Sequence, residues 1–539
     1  MFKCKQLLRR ICVVSYVFLL CGGLVNASNL VSKTNTLIGT QGNGWASGYL
    51  YPGATYPFGM VQFTPTYFTK QLGFVINQLS GAGCDHMGNF PTLPIAGALR
   101  VSPDSILNMQ TPVGKEIGTA GYYAATVDHS IRAELTVTER TGMARYTFSS
   151  KEKQGTVIIG GGVAATSIQV AAIKITGPHS CEGYAEGGAF CGIPTPYKVY
   201  FVAEFDADAE SFGTWKEERL HANHTFAEGS HSGVYFTFPL KEGNQAVQYK
   251  IGVSYVSVEN ARENLRVENP AWDFSAVRQA TQDKWNEYLG KIEVEGDNED
   301  RQMQFYTHLY RSLIHPNVCS DVNGEYMGAD SQVHKTARKF YTSFSNWDTY
   351  RTQTALIAML APEETSDIVM SHYLFAEQSG GGFPRWVLAN IETGVMQGDP
   401  TPILVANAYA FGARNYDPRT LLRTMRYGAE VPGANSQGVL TRPGLEQYLE
   451  KGYYDASILL EYTSSDFAIG RFALQACNDE PVCNWYTQRA MNWKNLFNKE
   501  TGWLQSRNED GSWKRYDADW RESTYKNYFW MVPYDLQGL

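Results

Sequence analysis

The order of apolar and polar residues divides the chain into two halves with different periods. Between residues 28 and 265, apolar side chains recur at every second position, as in "IRAELTVTERTGMARYTF", "YKVYFVAEFDAD" and "AVQYKIGVSYVSVE". An alternation of period two predicts half-buried β-strands, and the turn residues between these segments predict that the strands are short and numerous. We therefore expect an antiparallel sandwich or barrel over residues 28–265 rather than a parallel sheet.

The pattern then changes to the period of helices. Residues 266–299 contain "NPAWDFSAVRQATQDKWNEYLGKI", which predicts a linker helix that begins at Asp273 or Ser275. In "DRQMQFYTHLYRSLIHP" the apolar side chains have the spacing of one helix face: Tyr306, Leu309, Tyr310, Leu313 and Ile314. Further helical segments follow, separated by loops rich in Gly and Pro. Strands first and helices afterwards predict two domains of different class, the helical one over residues 300–539.

Residues 1–27 are typical of a secretion signal. Basic residues precede the apolar run "ICVVSYVFLLCGGL", and "VNA" offers small residues for cleavage after Ala27. The run is too short for a membrane-spanning helix, so no transmembrane span is expected. Lipidation at Cys21 is the alternative, although Leu20 stands where a small residue is preferred. We expect an exported protein that is periplasmic, attached to the cell surface or extracellular.

Composition narrows the classes of function. Charged residues make up 19% and aromatic residues 13% of the 539 residues, the balance of a globular chain rather than a disordered one. Removing the four basic residues of the leader takes the net charge from −8 to −12, so nucleic acid is not an expected partner. The 33 Tyr and 12 Trp suit a ligand with flat apolar faces, such as a sugar, although Tyr-rich cores and interfaces give the same count.

Six cysteines remain after the leader. Cys181 with Cys191, and Cys477 with Cys483, are close enough in sequence to form disulfides, which an exported protein permits. Cys84 and Cys319 either pair with one another or stay free. Other connectivities remain open.

Acidic and aromatic side chains recur at the loop–helix junctions of the helical half. In "SFSNWDTYRTQ", Asp348 stands beside Trp347, and Arg351 follows three residues later. If a helix begins near Asp348, both charged groups face the same mouth of the domain. The alternative is a helix-capping Asp that forms an i,i+3 ion pair.

Two further segments repeat this combination of acids and rings. They are "GGGFPRWVLANIETGVMQGD" and "EYTSSDFA", and their polar and aromatic residues include Arg385, Trp386, Glu392, Asp399, Glu461 and Asp466. Carboxylates bind hydroxyl groups, and apolar rings line the pockets that enclose ligands. The repetition indicates a carbohydrate cleft.

Seven segments, in order along the chain, resemble glycoside hydrolase family 92: "PGATYPFGMVQFTP", "LSGAGC", "NWDTYR", "GGGFPRW", "ANAYAFGARNYD", "LLEYTSSD" and "YFWMVPYDLQGL". The resemblance extends from about residue 36 to Leu539. It implies a secreted, calcium-dependent exo-α-mannosidase in which mannose-containing glycans bind between an N-terminal β-sandwich and an (α/α)6 barrel. The barrel over residues 300–539 is expected to be incomplete at its C-terminus.

The family motif that carries the catalytic acid runs Glu-Gly-Asn-Ala-Trp-Gln-Tyr-x-Trp. Here Glu522 matches the Glu, Tyr528 the Tyr and Trp530 the closing Trp, which implies that Glu522 is the general acid. Lys526 replaces a Trp of the motif, and a nearby cation favours the ionised carboxylate, whereas a general acid must carry a proton. In "GFVINQLSG", Ile76 and Gln78 replace two histidines of the family pattern.

We predict that the sugar is contacted by Asp348, Arg351, Arg385, Trp386 and Trp347. The resemblance implies inversion, in which one carboxylic acid protonates the leaving oxygen and a second carboxylate activates water. Calcium would help to hold and distort the mannose. In the family the base aspartate and most calcium ligands lie in a Gly-Asn-Glu-Pro and a Gly-Asn-Asp-Asp segment, and neither occurs before Leu539. The expectation is therefore activity in a full-length form and inactivity of this truncated chain.

Two alternatives stand beside this hypothesis. The substitutions around Glu522 are compatible with a non-catalytic relative that binds mannosides. The second alternative is an inverting hydrolase that acts on another sugar, because a two-domain plan of this kind does not determine the substrate.

Overall fold

The computed structural model describes residues 29–40, 48–65, 73–104, 113–242 and 245–539. The predicted signal segment, its cleavage site and Cys21 lie outside the described residues.

The described part of the N-terminal half forms two antiparallel sheets, whose strands we number in chain order. The first has eight strands, in spatial order Ala54–Thr55 (β1), Gln62–Pro65 (β2), Phe74–Val75 (β3), Thr92–Ala96 (β4), Gln154–Gly160 (β9), Ser232–Pro239 (β16), Ser211–Lys216 (β13) and Arg219–Ala222 (β14). The second has nine strands, in order Phe226–Glu228 (β15), Ile168–Gly177 (β10), Ser180–Phe190 (β11), Ile193–Phe205 (β12), Ala246–Ser254 (β17), Thr141–Thr147 (β8), Ile131–Val137 (β7), Tyr122–Val127 (β6) and Val113–Thr119 (β5).

The two sheets share one hydrophobic core, which the alternation of the sequence builds. Along β7, Ile131, Ala133 and Leu135 are fully buried, and Arg132 and Glu134 between them are partly exposed. One face of a strand thus packs on the core while the other meets solvent.

Helices dominate the remainder. They are Val258–Glu268 (α1), Phe274–Leu289 (α2), Glu299–Ser312 (α3), Asn346–Thr349 (α4), Gln353–Leu360 (α5), Pro362–Ser379 (α6), Thr401–Ala410 (α7), Pro418–Glu430 (α8), Leu445–Lys451 (α9), Ala456–Cys477 (α10), Glu480–Ala490 (α11) and Tyr525–Tyr528 (α12), with 3-10 turns at Leu30–Lys33 and Met491–Leu496. Asp273 caps α2 by accepting a hydrogen bond from the Ala276 amide at 2.9 Å, which confirms one of the two predicted starts.

Short strands connect the helices. They are Asn317–Val318 (β18), Glu325–Met327 (β19), Val333–Lys335 (β20), Tyr341–Thr342 (β21), Phe344–Ser345 (β22), Trp386–Leu388 (β23), Ile391–Glu392 (β24), Asn435–Ser436 (β25), Val439–Leu440 (β26), Phe497–Asn498 (β27) and Trp503–Leu504 (β28).

Helix α10 is the central element of the helical half. Most of its 22 residues are buried, and it packs against α7, α8 and α11. A helix buried on nearly all sides must be enclosed by other helices. The fold class, an antiparallel β-domain followed by a helical domain, is therefore confirmed. Within the described residues no helix has the length and apolar character needed to cross a membrane.

The two halves are joined by a continuous buried contact. Tyr51 and Phe58 from the first half pack in one cluster with Tyr306 and Tyr310 from α3. The Tyr310 hydroxyl lies 2.8 Å from the Thr55 hydroxyl. An interface with a shared apolar core and buried hydrogen bonds holds domains in a fixed relation.

The disulfide of the structure differs from every predicted pairing, and the expectation that Cys84 either pairs with Cys319 or stays free is also wrong. Cys84 is bonded to Cys191, with their Cα atoms 5.2 Å apart, so the predicted pairing of Cys181 with Cys191 is wrong. Cys181 lies near the start of β11 and Cys191 just beyond its end, so roughly 30 Å of extended strand separates them. Closing a loop over the 107-residue separation of Cys84 and Cys191 stabilises the fold by roughly 4–5 kcal/mol in the chain-entropy description.

The predicted pair of Cys477 and Cys483 is also wrong, because both thiols are free and buried. Cys477 ends α10, and the Cys483 sulfur lies 3.9 Å from the Thr487 hydroxyl on its own helix. Cys319 is free and buried, one of the two states expected for it.

Two neutral imidazoles hold a loop of the first half at the domain boundary. The Leu79 amide donates to Nε2 of His86 at 2.8 Å, and the Ser80 amide donates to Nε2 of His315 at 2.9 Å. Nδ1 of His315 lies 2.6 Å from the Asn317 side-chain oxygen, so Nδ1 carries the proton. Burial lowers the pKa of each imidazole to about 4, and in His315 the charge of Arg311 acts in the same direction.

We expect this arrangement to make the fold sensitive to acid. The pKa of each imidazole is about 4 in the folded chain and 6.5 ordinarily. The stabilisation is fully present above pH 6.5 and is lost as the pH falls toward 4, by roughly 3 kcal/mol per histidine. Urea unfolding between pH 7 and 4.5 will show this decline. His315→Gln, which retains an acceptor for Ser80, should flatten it, whereas an unchanged slope would exclude His315 as a contributor.

Candidate active site

Strand pairing brings two predicted motifs together. Ser345 of β22, immediately before "NWD", is paired with Trp386 of β23, in "PRW". The buried Asn346 side chain secures this contact by donating to the Pro384 carbonyl at 3.1 Å and to the Thr401 hydroxyl at 2.9 Å. The segments around Ser345 and Trp386, about 40 residues apart in sequence, therefore lie side by side. We call the surface that they form the wall.

Asp348 and Arg351 are both exposed on this wall. Asp348 lies within α4 and accepts a hydrogen bond from the Ser345 hydroxyl. The predicted alternative of an i,i+3 ion pair does not describe Arg351, which pairs instead with Glu461 at 3.4 Å. The guanidinium also lies over the Trp347 ring, 4.6 Å from its centroid. Asp348 is thus an exposed carboxylate one residue after the Trp347 ring that Arg351 covers.

The carboxylate of Glu461, on α10, is the centre of the wall. It is 1% exposed and accepts from the Trp347 indole at 2.9 Å and from the Tyr350 hydroxyl at 3.0 Å. Arg351 donates at 3.4 Å and the Tyr528 hydroxyl at 3.5 Å. Four donors from two distant parts of the chain therefore meet at one buried acid.

Burial raises the pKa of Glu461, and the charge of Arg351 and the indole and hydroxyl donors oppose that rise. Burial and the neighbouring Glu461 carboxylate raise the pKa of Tyr350 and Tyr528 as well, so both hydroxyls remain protonated donors. A desolvated carboxylate that lost these donors would be strongly destabilising.

A second chain of hydrogen bonds extends from this centre to α12. The side-chain amide of Gln397 donates to the Tyr528 hydroxyl. Its side-chain oxygen, Oε1, accepts from the Ser457 hydroxyl at 3.0 Å. Gly398, at φ +76°, packs so closely on Glu461 that a Cβ there would lie 2.6 Å from the Glu461 Cβ. Only glycine meets both conditions without strain.

Arg385 and Trp386 are placed differently from Asp348 and Arg351. Both are buried, at 9% and 3% exposure. The Arg385 guanidinium donates to backbone carbonyls, among them those of Gly398 at 3.1 Å and Leu440 at 3.0 Å. The Trp386 ring stacks on Phe190 of the β-domain, with the ring centroids 4.1 Å apart. In this structure they support the wall, and their predicted contact with sugar stays a prediction.

Asp399 and Asp466 belong to a buried ionic network rather than to the exposed wall. Arg442 bridges them, with contacts of 2.8 Å and 2.7 Å, and Arg489 also binds Asp466. Burial opposes ionisation of Asp466, but the two guanidinium groups outweigh it and hold its pKa below the ordinary value. These charges connect the loop before α7 to α10 and α11.

Glu522, the predicted general acid, lies on the segment that leads into α12. Its side chain is exposed, and its backbone has φ 59°, which is uncommon outside glycine. Within the described residues its carboxylate has no hydrogen-bond or ion-pair partner. Lys526 on the same segment lies over the Tyr525 ring, 5.8 Å from its centroid. The role of Glu522 stays a prediction.

Two family models match almost the whole described chain. The N-terminal domain model of glycosyl hydrolase family 92 matches residues 34–254, and the catalytic domain model of that family matches residues 260–539. The chain belongs to glycosyl hydrolase family 92.

Known family 92 structures share this fold. The α-mannosidase BT3965 from Bacteroides thetaiotaomicron is 24% identical with a TM-score of 0.86, and 95% of this chain covers 72% of that protein. The inverting mannosidase BT2199 from the same organism is 25% identical with a TM-score of 0.84, at 94% and 71% coverage. A secreted glycosidase of undetermined function from Arthroderma benhamiae is 24% identical, at 95% and 72% coverage.

One of the two positions that the resemblance marks as a replaced histidine, Gln78, lies buried near the domain boundary. It is 3% exposed, and its backbone amide donates to the side chain of Gln62 at 3.2 Å. Its side-chain oxygen has no partner within the described residues. Ile76, the other replacement, is fully buried.

The residues described here do not supply a group of three or more His, Cys, Asp or Glu side chains that could hold a metal ion. They therefore do not fit a complete calcium site by themselves.

Sequence reasoning noted Glu461 but missed its role as the common acceptor of Trp347, Tyr350 and Tyr528. The available signal was its setting in "SILLEYTSSDFAIG", where the run of apolar and small residues predicts a helix buried on all sides. A carboxylate in such a helix requires several donors. Gln397 was not singled out, because a lone Gln in a loop carries no sequence signal.

We expect Glu461→Gln to lower the free energy of unfolding by about 1–3 kcal/mol. The amide places an NH2 group among the hydroxyl and indole donors and removes the charge that pairs with Arg351. Urea denaturation will measure the change. Glu377→Gln is the matched control, because exposed Glu377 accepts a hydrogen bond from a single tyrosine, Tyr373, at 2.9 Å. Equal losses in both variants would contradict a special role for Glu461.

Proposed function

We propose that this family 92 protein is an exported, exo-acting α-mannosidase that removes terminal mannose from glycans, with a preference like that of α-1,2-mannosidases. The observation that carries the proposal is the catalytic-domain match over residues 260–539, together with the fold of known α-mannosidases. A related structure, that of BT3965, contains mannoimidazole. Mannose-containing glycans are therefore the proposed partners.

The wall around Glu461 supports this proposal chemically. Asp348 offers an exposed carboxylate to sugar hydroxyls, and Arg351 keeps part of its guanidinium exposed after pairing with Glu461. The half-buried Trp347 indole is held by Glu461 and presents an aromatic surface beside them. Charged groups that accept and donate, placed next to a fixed ring, are typical of saccharide sites.

In the proposed mechanism the configuration of the sugar is inverted. Glu522 would protonate the leaving oxygen, and a second carboxylate would activate water on the opposite face. Glu522 lies six residues before Tyr528, whose hydroxyl is anchored to Gln397 and Glu461. The frame that holds Asp348 and Trp347 therefore also anchors the segment that carries the acid. We also propose that the activity depends on calcium, as the resemblance to the family implies.

Export is proposed on two observations. The disulfide between Cys84 and Cys191 is typical of an oxidising compartment, and the Arthroderma benhamiae relative is described as secreted. Periplasmic, surface-attached and extracellular forms, including lipidation at Cys21, are all compatible with this proposal.

The test uses the protein produced from its complete gene. We expect release of mannose from at least one of the α-1,2-, α-1,3- and α-1,6-linked mannobioses when calcium is present, and loss of release with EDTA. Glu522→Gln should reduce kcat by about 100-fold or more, because general acid catalysis contributes on that scale. Glu500→Gln, at another exposed glutamate, is the matched control. No release from any of the three with calcium would contradict the proposal.

We further expect Asp348→Asn and Arg351→Lys to raise KM for the cleaved mannoside by about 10-fold or more, since hydrogen bonds to charged groups contribute about 1.5–3 kcal/mol. Arg426→Lys, in the surface pair of Arg426 with Glu430, serves as the control. Initial-rate kinetics will separate KM from kcat. Values equal to those of the control would remove these two residues from the sugar contacts.

A non-catalytic relative that binds mannosides is the second proposal. Two observations favour this alternative: Glu522 is exposed, and in the resemblance Lys526 replaces a Trp of the motif that carries the acid. Calorimetry would then show mannoside binding without turnover, and binding would be unchanged in Glu522→Gln.

A further inference from the structure

The turn between β11 and β12 has a cysteine, Cys191, at a position with positive φ. Phe190 pairs with Ile193, so Cys191 and Gly192 form the two-residue turn, with φ values of 50° and 78°. Positive φ at both central positions defines a type I′ turn, in which Asn, Asp or Gly is preferred. Cysteine at the first of these positions costs backbone strain. The strain is compensated by a bond that only cysteine can form.

That bond joins the hairpin tip to the loop that precedes β4. Cys191 is exposed and its partner Cys84 half-buried, so the disulfide is accessible from solvent. The Cys84 carbonyl lies 2.6 Å from Nδ1 of His86, and the His86 ring meets the Phe190 ring edge-on, with the centroids 6.1 Å apart. The loop is thus attached to the tip at two places.

Directly behind the accessible disulfide lies a buried contact between the domains. Phe190, adjacent to Cys191 and 3% exposed, stacks on Trp386, with an angle of 28° between the ring planes. Trp386 is paired with Ser345, the residue before "NWD". The disulfide is therefore connected to the wall that carries Asp348 through Phe190, Trp386 and Ser345.

We propose that the Cys84–Cys191 disulfide is a redox-sensitive clamp that holds Phe190 of the β-domain on Trp386 and so positions the glycan-binding wall of the helical domain. The effect on sugar binding rests on the proposed function. The clamp itself does not, because it is argued from the disulfide and from the Phe190–Trp386 stack alone.

The chemistry of release is thiol–disulfide exchange. A thiolate of a dithiol attacks one sulfur of the pair and forms a mixed disulfide, which the second thiol of the reagent resolves. The reagent gives up two electrons and two protons and becomes a cyclic disulfide, while Cys84 and Cys191 become thiols. The free tip then loses the bond that offset the strain at Cys191.

The decisive variant is Cys84→Ser with Cys191→Asn. Asparagine is favoured at the strained position, so this variant keeps the turn and removes the clamp alone. The first readout is the near-UV circular dichroism of the folded protein. We expect the loss of the same tryptophan signal in the double variant and in wild-type protein treated with a dithiol, and recovery of the wild-type signal after reoxidation. Trp386→Phe should lack that signal in both redox states.

The second readout is kinetic. We expect KM for the cleaved mannoside to rise at least fivefold in the double variant and in reduced wild type, with kcat changed less than twofold, and no further effect of dithiol on the variant. A variant with wild-type dichroism and KM would overturn the clamp. If no mannoside is cleaved, the proposed function is contradicted. The circular dichroism still shows whether the disulfide holds Phe190 on Trp386. If the variant does not fold, reduction and reoxidation of wild type give the same decision.

Discussion

The buried carboxylate of Glu461 is the constraint on which the site depends. A charge removed from water is costly, and the cost is tolerable only when hydrogen bonds replace its hydration. Here the donors come from the segment of Trp347 and Tyr350 and from Tyr528, about 180 residues further along the chain. The requirement to satisfy one acid on α10 thus determines where the exposed Asp348 lies and where the segment of Glu522 is anchored.

Around this centre the molecule separates supporting groups from groups that meet solvent. The Arg385 guanidinium donates to backbone carbonyls, and the carboxylates of Asp399 and Asp466 are paired with Arg442 and Arg489 in the interior. Asp348 and part of Arg351 remain outside. A rigid buried frame with a few exposed polar groups is the arrangement that binding sites require, since side chains held by packing and hydrogen bonds keep their geometry.

The β-domain contributes to this frame rather than standing apart from it. Trp386, Leu388 and Ala389 belong to the hydrophobic cluster of the sandwich, although they come from the helical half of the sequence. Phe190 completes that contact from the β-domain side, and the disulfide beside it joins two segments of that domain. Both domains therefore contribute to the wall of the site, and contacts through Trp386 and Ser345 connect Phe190 of the β-domain to Asp348.

Local pattern determined much of this protein. The period-two alternation around Leu135 and the helical period around Tyr306 predicted the two halves, because each reflects which side chains a single element buries. Asp273 was recognisable as a cap, since capping involves residues three apart. Family resemblance marked "NWDTYR" and "PRW" as parts of one site. Contacts between distant segments had no such signal. The pairing of Cys84 with Cys191, the meeting of Glu461 with Tyr528 and the burial of Trp386 under Phe190 were decided by the tertiary structure alone, because each depends on distances across the fold that spacing along the chain does not encode.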